Sequence, residues 1–273
     1  MIRFFQENRE EVLIASAAAL AAKAKTSDAT IVRAAKALGF AGLDDLRRTL
    51  AGELRSLITP AERLTRTLNE IGPSLSNAFE MTLEIHIRSL ESLRRTITAD
   101  QFKRAVSSIT KARRVLVLGL GPSRAMAAYL VIQLGRFGLD AGSLTNTGLL
   151  FADDLRKLRD GDLVVILAYG RVYAELAVLL EEIQRRRLAS LLLTDTLAGR
   201  LRRRVDLVLP VARGRADLLS MHTATLGLIE TLLVGVATTR PRQTLAGLKN
   251  LNQLRERLAG KGAHLPMPGS QTR

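Results

Sequence analysis

The chain has 273 residues, with 41 Lys and Arg against 26 Asp and Glu, three His, and neither Cys nor Trp. Zero cysteine excludes a disulfide framework, thiolate metal sites and a thiol nucleophile, and 47 % apolar with 25 % charged residues excludes an intrinsically disordered chain. The formal charge of +15 suits a polyanionic partner but is spread along the chain, as +3 over residues 1–110, +7 over 111–240 and +5 over 241–273.

No secretory or membrane-spanning segment is expected. The start turns polar at Gln6-Glu7 before an apolar h-region can form. The most apolar late stretch, Met221–Thr239, carries His222 and Glu230, and a central Glu is costly in lipid. The expectation is a cytoplasmic protein with no membrane contact.

Residues 1–100 read as successive helices without strand signals. Ser16 caps a helix to about Ala24, and Ser27 caps a second to about Leu38, stopped by Gly39. A short amphipathic piece, Leu43–Leu50, follows Gly42. Thr59-Pro60-Ala61-Glu62 is a helix start with cap, first-turn Pro and Glu at the third helical position. A break at Gly72-Pro73 precedes a helix to about Arg95, and Thr98 opens another that ends near Ala112.

The period changes at residue 113. Four short apolar runs, Arg114–Leu118, Asp162–Leu167, Leu191–Thr194 and Val205–Pro210, alternate with helical patterns at Ser123–Phe137, Tyr173–Arg187 and Leu197–Arg203. Continuous apolar strands between helices indicate a parallel sheet covered on both faces. The expected class is therefore an all-helical N-terminal domain joined to an α/β domain. After Thr239 a basic helical piece leads into a Pro/Gly/Ser tail expected to be disordered.

Residues 16–38 have the spacing of a helix-turn-helix. Ile31, Ala35 and Leu38 form one buried stripe on the second helix. Ser27, Asp28, Thr30 and Arg33 are left near its exposed N-terminal part, where a reading helix meets base edges. Lys23, Lys25 and Lys36 flank it and can neutralise phosphates. On spacing alone, any small helical bundle fits equally well.

The run Thr26–Leu43, with its cap, Ala29-Thr30, Arg33, Leu38-Gly39-Phe40 and Gly42, resembles the helix-turn-helix signature of the RpiR family of bacterial regulators. Members join this domain to a C-terminal sugar isomerase (SIS) domain. The family has a full helix ahead of Phe4-Phe5-Gln6-Glu7, so here the chain starts partway into it. The resemblance implies a DNA-binding domain over residues 1–75 and a helical linker over 76–110. An SIS-type effector and dimerisation domain would span 111–240, with a basic helix and tail over 241–273. It also implies a double-stranded operator, a homodimer or homotetramer, and pairing of subunits through Met221–Thr239.

Val117-Leu118-Gly119-Leu120-Gly121-Pro122-Ser123-Arg124 closes a strand and opens a helix. Such a turn suits an anion, because glycines allow close backbone approach and helix N–H groups point at the ligand. A dinucleotide fingerprint would need Gly at 124, which is Arg. A tight turn without ligand also fits. The resemblance places Gly119, Gly121 and Ser123 in a phosphosugar site, with Arg124 beside them. SIS domains continue with a phosphate loop S-x-S-G-x-T after their next long strand. Here Ala168-Tyr169-Gly170-Arg171-Val172-Tyr173 lacks those hydroxyls. Tyr169, Arg171 and Tyr173 then point to a changed anionic ligand, with Arg171 able to bind a carboxylate or phosphate. Thr194 and Asp195 match a position near the ligand mouth, and Asp195 could equally cap the next helix.

Catalytic residues are scarce. No H-E-x-x-H and no Ser-His-Asp arrangement occurs, and no catalytic residue, metal or cofactor is expected. Glu175 and Glu230 remain as bases in principle. His222 could be a ligand or simply structural. The expected function is a DNA-binding transcriptional regulator that senses a small anionic metabolite, a sugar phosphate or a relative. The alternatives are an SIS-fold phosphosugar isomerase and an effector-less dimerising DNA-binding protein.

Overall fold

The computed structural model describes residues 4, 5, 8, 11, 12, 15–40, 42–47, 50, 58–215 and 217–259. Helices α1 (Ala17–Lys23) and α2 (Asp28–Ala37) start at Ser16 and Ser27, whose hydroxyls accept from the N–H groups of Ala19 and Thr30. Each cap satisfies an N–H that the helix cannot pair internally. Leu20, Ala21, Ile31 and Ala35 bury into a small core with Phe5, Val12, Leu43, Leu46 and Leu50. Leu38 is half-buried against it, which completes the expected stripe.

Thr59 and Glu62 form a reciprocal capping box at α3 (Pro60–Ile71), which ends at Gly72. Helix α4 (Leu75–Thr96) follows, and Thr98 with Gln101 forms a second capping box for α5 (Ala99–Lys111). Helix α3 docks onto the later α/β layers. Arg63 Nη1 donates to Ser220 Oγ at 2.8 Å, and the Leu219 N–H donates to Thr67 Oγ1 at 2.9 Å. Helix α5 contributes Ala105, Val106 and Ile109 to the core beneath the sheet.

The sheet is parallel and has five strands, in the order β2-β1-β3-β4-β5. These are β1 (Arg114–Gly119), β2 (Ala141–Leu144), β3 (Asp162–Leu167), β4 (Ala189–Thr194) and β5 (Leu207–Pro210). The sequence patterns indicate four of them and miss β2. Ala141-Gly142-Ser143-Leu144 contains no β-branched residue, and this edge strand is held by its register on Val115–Leu118. Alternate residues serve opposite faces. Val115, Val117, Val165, Leu191 and Leu209 meet α6 (Ser123–Arg136), α5 and α10 (Thr223–Thr239). Leu116, Leu118, Val164, Ile166 and Leu192 meet α7 (Phe151–Leu155), α8 (Ala174–Arg186) and α9 (Ala198–Leu201).

Both faces are covered, as continuous apolar strands require. Helix α11 (Pro241–Ala259) packs on the end of α6, where a Cβ on Gly247 would lie 2.8 Å from the Arg136 carbonyl oxygen. The expected disordered tail from residue 260 and His264 lie outside the described residues. No helix among the described residues is long and apolar enough to cross a membrane.

Candidate functional site

Strand order reverses between β1 and β3, and a crevice opens at the carboxyl ends of such strands. A cavity of about 380 Å3 lies there, lined by Gly121, Ser123, Thr147, Tyr169, Tyr173, Glu175, Arg213 and His222 among others. Gly119 closes β1 under the turn into α6. A Cβ on it would sit 2.5 Å from the Ser123 carbonyl oxygen, so only glycine fits. Gly121 adopts φ +58°, a backbone conformation that glycine reaches without strain. These two glycines bring the α6 N-terminus, with buried Ser123, to the cavity.

The cation of the cavity is Arg213, which the sequence reading did not single out. Its Nε and Nη2 donate to Asp195 Oδ2 at 3.0 and 2.9 Å. Its guanidinium stands 4.6 Å from the centre of the Tyr169 ring. The other Asp195 oxygen accepts from the Gly170 N–H at 3.2 Å and from the Thr196 hydroxyl. Tyr169 is itself anchored, its hydroxyl 3.0 Å from Thr225 Oγ1 and its ring edge-on to His222. Burial pushes the Tyr169 phenol far above its usual range, so it stays neutral. Burial and then the Arg213 charge push the His222 pKa below its ordinary value, against a smaller opposing pull from Asp195.

Several expected effector residues lie off the cavity wall. Arg124 is exposed on α6. Arg171 is exposed and stacks over Tyr173 at 5.9 Å. Thr194 is fully buried and caps the next turn by accepting from the Leu197 N–H. Capping was one of two roles open to Asp195, and its carboxylate instead accepts from Arg213. Gly121, Ser123, Tyr169 and Tyr173 do line the cavity. Arg213 was unreadable because nothing local distinguishes it among the 41 basic residues. His222 and Glu175 had been noted without a place.

Glu175 stands in the first turn of α8, two residues after Tyr173, and lines the cavity. The Gly148 N–H donates to its carboxylate at 3.0 Å and holds its pKa below the usual value. An ionised carboxylate at this place repels a phosphate and accepts from hydroxyls. Glu230 lies elsewhere, accepting from the Tyr129 hydroxyl at 3.1 Å. Among the described residues no group of three His, Asp or Glu could hold a metal ion.

At the other end of the chain, α2 presents Ser27, Asp28, Arg33 and Lys36 to solvent, with Lys23 and Lys25 also exposed. Arg33 Nη2 donates to Thr30 Oγ1 at 3.0 Å, and Thr30 also meets Ser27 Oγ at 3.0 Å. These contacts hold the half-buried Thr30 and prepose the guanidinium. Lys23 is paired with Glu11. Lys25, at φ +52°, makes the tight turn between the two helices.

Residues 1–56 match the helix-turn-helix domain model of the rpiR family, and residues 108–235 match the SIS domain model. The chain joins an rpiR-family helix-turn-helix to an SIS domain. An RpiR transcription factor from Sphaerobacter thermophilus, solved as its sugar isomerase domain, is 25 % identical with a TM-score of 0.57, over 62 % of this chain and 94 % of that one. The NanR protein of Vibrio vulnificus, solved in complex with ManNAc-6P, is 20 % identical with a TM-score of 0.60, over 94 % and 91 %. It shares the fold of this chain. The HTH-type transcriptional regulator HexR of Escherichia coli is 27 % identical over 63 % of this chain, and the match spans 59 % of HexR.

Proposed function

We propose that this RpiR-family protein is a cytoplasmic transcriptional regulator whose SIS-type domain binds a small anionic, hydroxyl-bearing metabolite and thereby controls operator binding by α2. The observation that carries the reading is one cavity that joins an anchored arginine and a helix N-terminus to an ionised Glu175. Arg213 and the α6 N-terminus suit the anionic end of a ligand, and Glu175 suits its hydroxyls. The match to the helix-turn-helix model and the exposed polar side chains of α2 support the DNA-binding half. A ligand acts on DNA binding only if it favours one arrangement of the paired heads over another.

Pairing is assigned to α10 and α5. They enclose an open apolar groove of about 860 Å3, lined by Phe102, Val106, Gly227, Val234 and Gly235. That groove is larger than the site cavity and, although Lys103, Lys111 and Glu230 stand on it, its exposed lining is mostly apolar, which suits a second subunit better than a small anion.

A thermal-shift screen tests the effector reading. Free ligand at about 100 times its dissociation constant adds roughly 2.7 kcal/mol of stability, a readily seen shift. Common hexose phosphates should shift the protein little, and sugar acids or related anions should shift it more. Strong stabilisation by an ordinary hexose phosphate sinks the changed-ligand reading. Glu175 and His222 in one cavity give a second reading, an aldose–ketose isomerase, some of which use Glu or His as the base. Conversion of a stabilising sugar phosphate to its isomer would establish it, and binding without turnover favours the regulator.

A further inference from the structure

Between residues 185 and 204 the chain carries seven arginines and one acidic residue, Asp195, which is buried against Arg213. Glu182 neutralises Arg185 and Arg186. Arg187, Arg200, Arg202, Arg203 and Arg204 have no carboxylate at ion-pair distance among the described residues, and all but the half-buried Arg204 are exposed.

Two segments are brought together here by the fold. The Ser190 N–H and Oγ both donate to Asp206 Oδ2 at 2.8 Å, and Asp206 N–H donates back to Ser190 Oγ. This clasp ties the start of β4 to the residue before β5, so Arg187, which ends α8 at φ +53°, and Arg202–Arg204 lie on the segments that lead into two neighbouring strands. The same surface reaches the DNA-reading head. Arg203 Nη2 lies 3.8 Å from where a Cβ on Gly39 would stand, and Gly39 follows directly on the end of α2.

We propose that this arginine face of the SIS-type domain binds the phosphate backbone of duplex DNA, extending the footprint of the helix-turn-helix head. The proposal rests on the reading of the chain as a DNA-binding regulator. Arg187 and Arg202–Arg204, on the segments that lead into the paired amino ends of β4 and β5 and without a carboxylate partner among the described residues, raise the local potential and repel one another, and a polyanion relieves that repulsion. Arginine is suited to phosphate because its planar fork donates two parallel hydrogen bonds. Arg203, beside the C-terminal end of α2, is the point at which a duplex read by the N-terminal part of that helix would have to reach the face. The contact reads charge, so it adds affinity without adding sequence preference.

The test uses the full chain with Arg187→Gln, Arg202→Gln and Arg204→Gln combined, leaving Arg203 at the head untouched. Binding to a mixed-sequence duplex of about 40 base pairs is measured by fluorescence anisotropy across a salt series. Affinity should fall about tenfold or more near 0.1 M salt, and the log–log salt slope should become shallower by about two to three. Lysine at the same three positions should restore most of the slope, because it keeps the charge, and thermal unfolding should be unchanged. A slope equal to wild type overturns the proposal, as does a loss that lysine fails to restore. Tight binding of heparin or RNA with no contribution to duplex binding assigns the face to another polyanion and also overturns it. Arg33→Ala run in parallel separates the two readings. Weakening by Arg33→Ala alone leaves the head reading standing and removes the arginine face, whereas absence of duplex binding by wild type removes both.

Discussion

Arg213 and Asp195 form an ion pair in which two guanidinium N–H groups converge on one carboxylate oxygen, at 3.0 and 2.9 Å. The pair is largely buried, with side-chain exposures of 14 % and 2 %. Asp195 also takes the Gly170 N–H, so one carboxylate fixes both the cation of the cavity and the loop after β3. Asp195→Asn should cost about 3 kcal/mol in urea unfolding, because a buried cation loses its counter-charge. Anion binding should weaken in the same variant even where the protein remains folded, since Arg213 is no longer aimed. Arg213→Lys should fail to restore binding, as an ammonium cannot keep both the double contact and the stack on Tyr169.

His222 makes the cavity pH-sensitive. Its pKa in the folded protein lies below the ordinary 6.5, so folding prefers the neutral ring. Its contribution to stability is fully present above about pH 6.5 and is lost as pH falls from there through the lower folded value. Thermal unfolding from pH 8 to pH 5 should show this decline, flattened in His222→Gln. A bound anion favours the imidazolium, so affinity for the effector should rise over the same fall in pH. An affinity that is flat across this range places the anion away from His222.

Gly119→Ala probes the turn itself. The added methyl meets the Ser123 carbonyl oxygen at 2.5 Å, a backbone atom that cannot move without shifting the start of α6. A loss of about 2 kcal/mol is expected in denaturant unfolding, with ligand stabilisation abolished. Gly121→Ala meets no neighbour within 4 Å but is strained by its φ of +58°, and should cost about 1 kcal/mol.

Arg33→Ala should leave fold and assembly unchanged, because the side chain is exposed and its hydrogen bond is to Thr30 on its own helix. On a duplex selected by the wild-type protein, loss of a base contact costs about 1–3 kcal/mol and relaxes one base pair. Loss of a phosphate contact instead lowers affinity on all sequences and makes the salt slope shallower by about one. Gel-shift titrations at two salt concentrations distinguish the two. Unchanged binding removes α2 from the interface.

Val234 is 65 % exposed on α10, inside the apolar groove. Val234→Asp should therefore spare the monomer fold and dissociate the oligomer, read by sedimentation velocity. An unchanged sedimentation coefficient moves the pairing surface away from this helix.

The helix starts were legible because each cap is a local event. Ser16, Ser27, Thr59 and Thr98 bond N–H groups three residues ahead, so residue type and spacing suffice. The parallel sheet was legible from strands that are apolar on both faces. Strand β2 was not, because Gly142 and Ser143 have little strand preference and are paired by Leu116 and Val117 across the sheet.

The sequence by itself determined the helix-turn-helix, the α/β alternation and the glycine turn after β1, all of which depend on residues within a few positions of one another. Only the tertiary structure decided which charges meet. Asp195 is 18 residues from Arg213, and Tyr169 is 56 residues from Thr225, yet each pair closes within 3.0 Å. Strand order carries these partners to one edge of the cavity, whereas Arg124 and Arg171, close to the motifs in sequence, are exposed and do not line it. Charge alone marks an arginine as a candidate, and only the burial and aim given by packing make Arg213 a site.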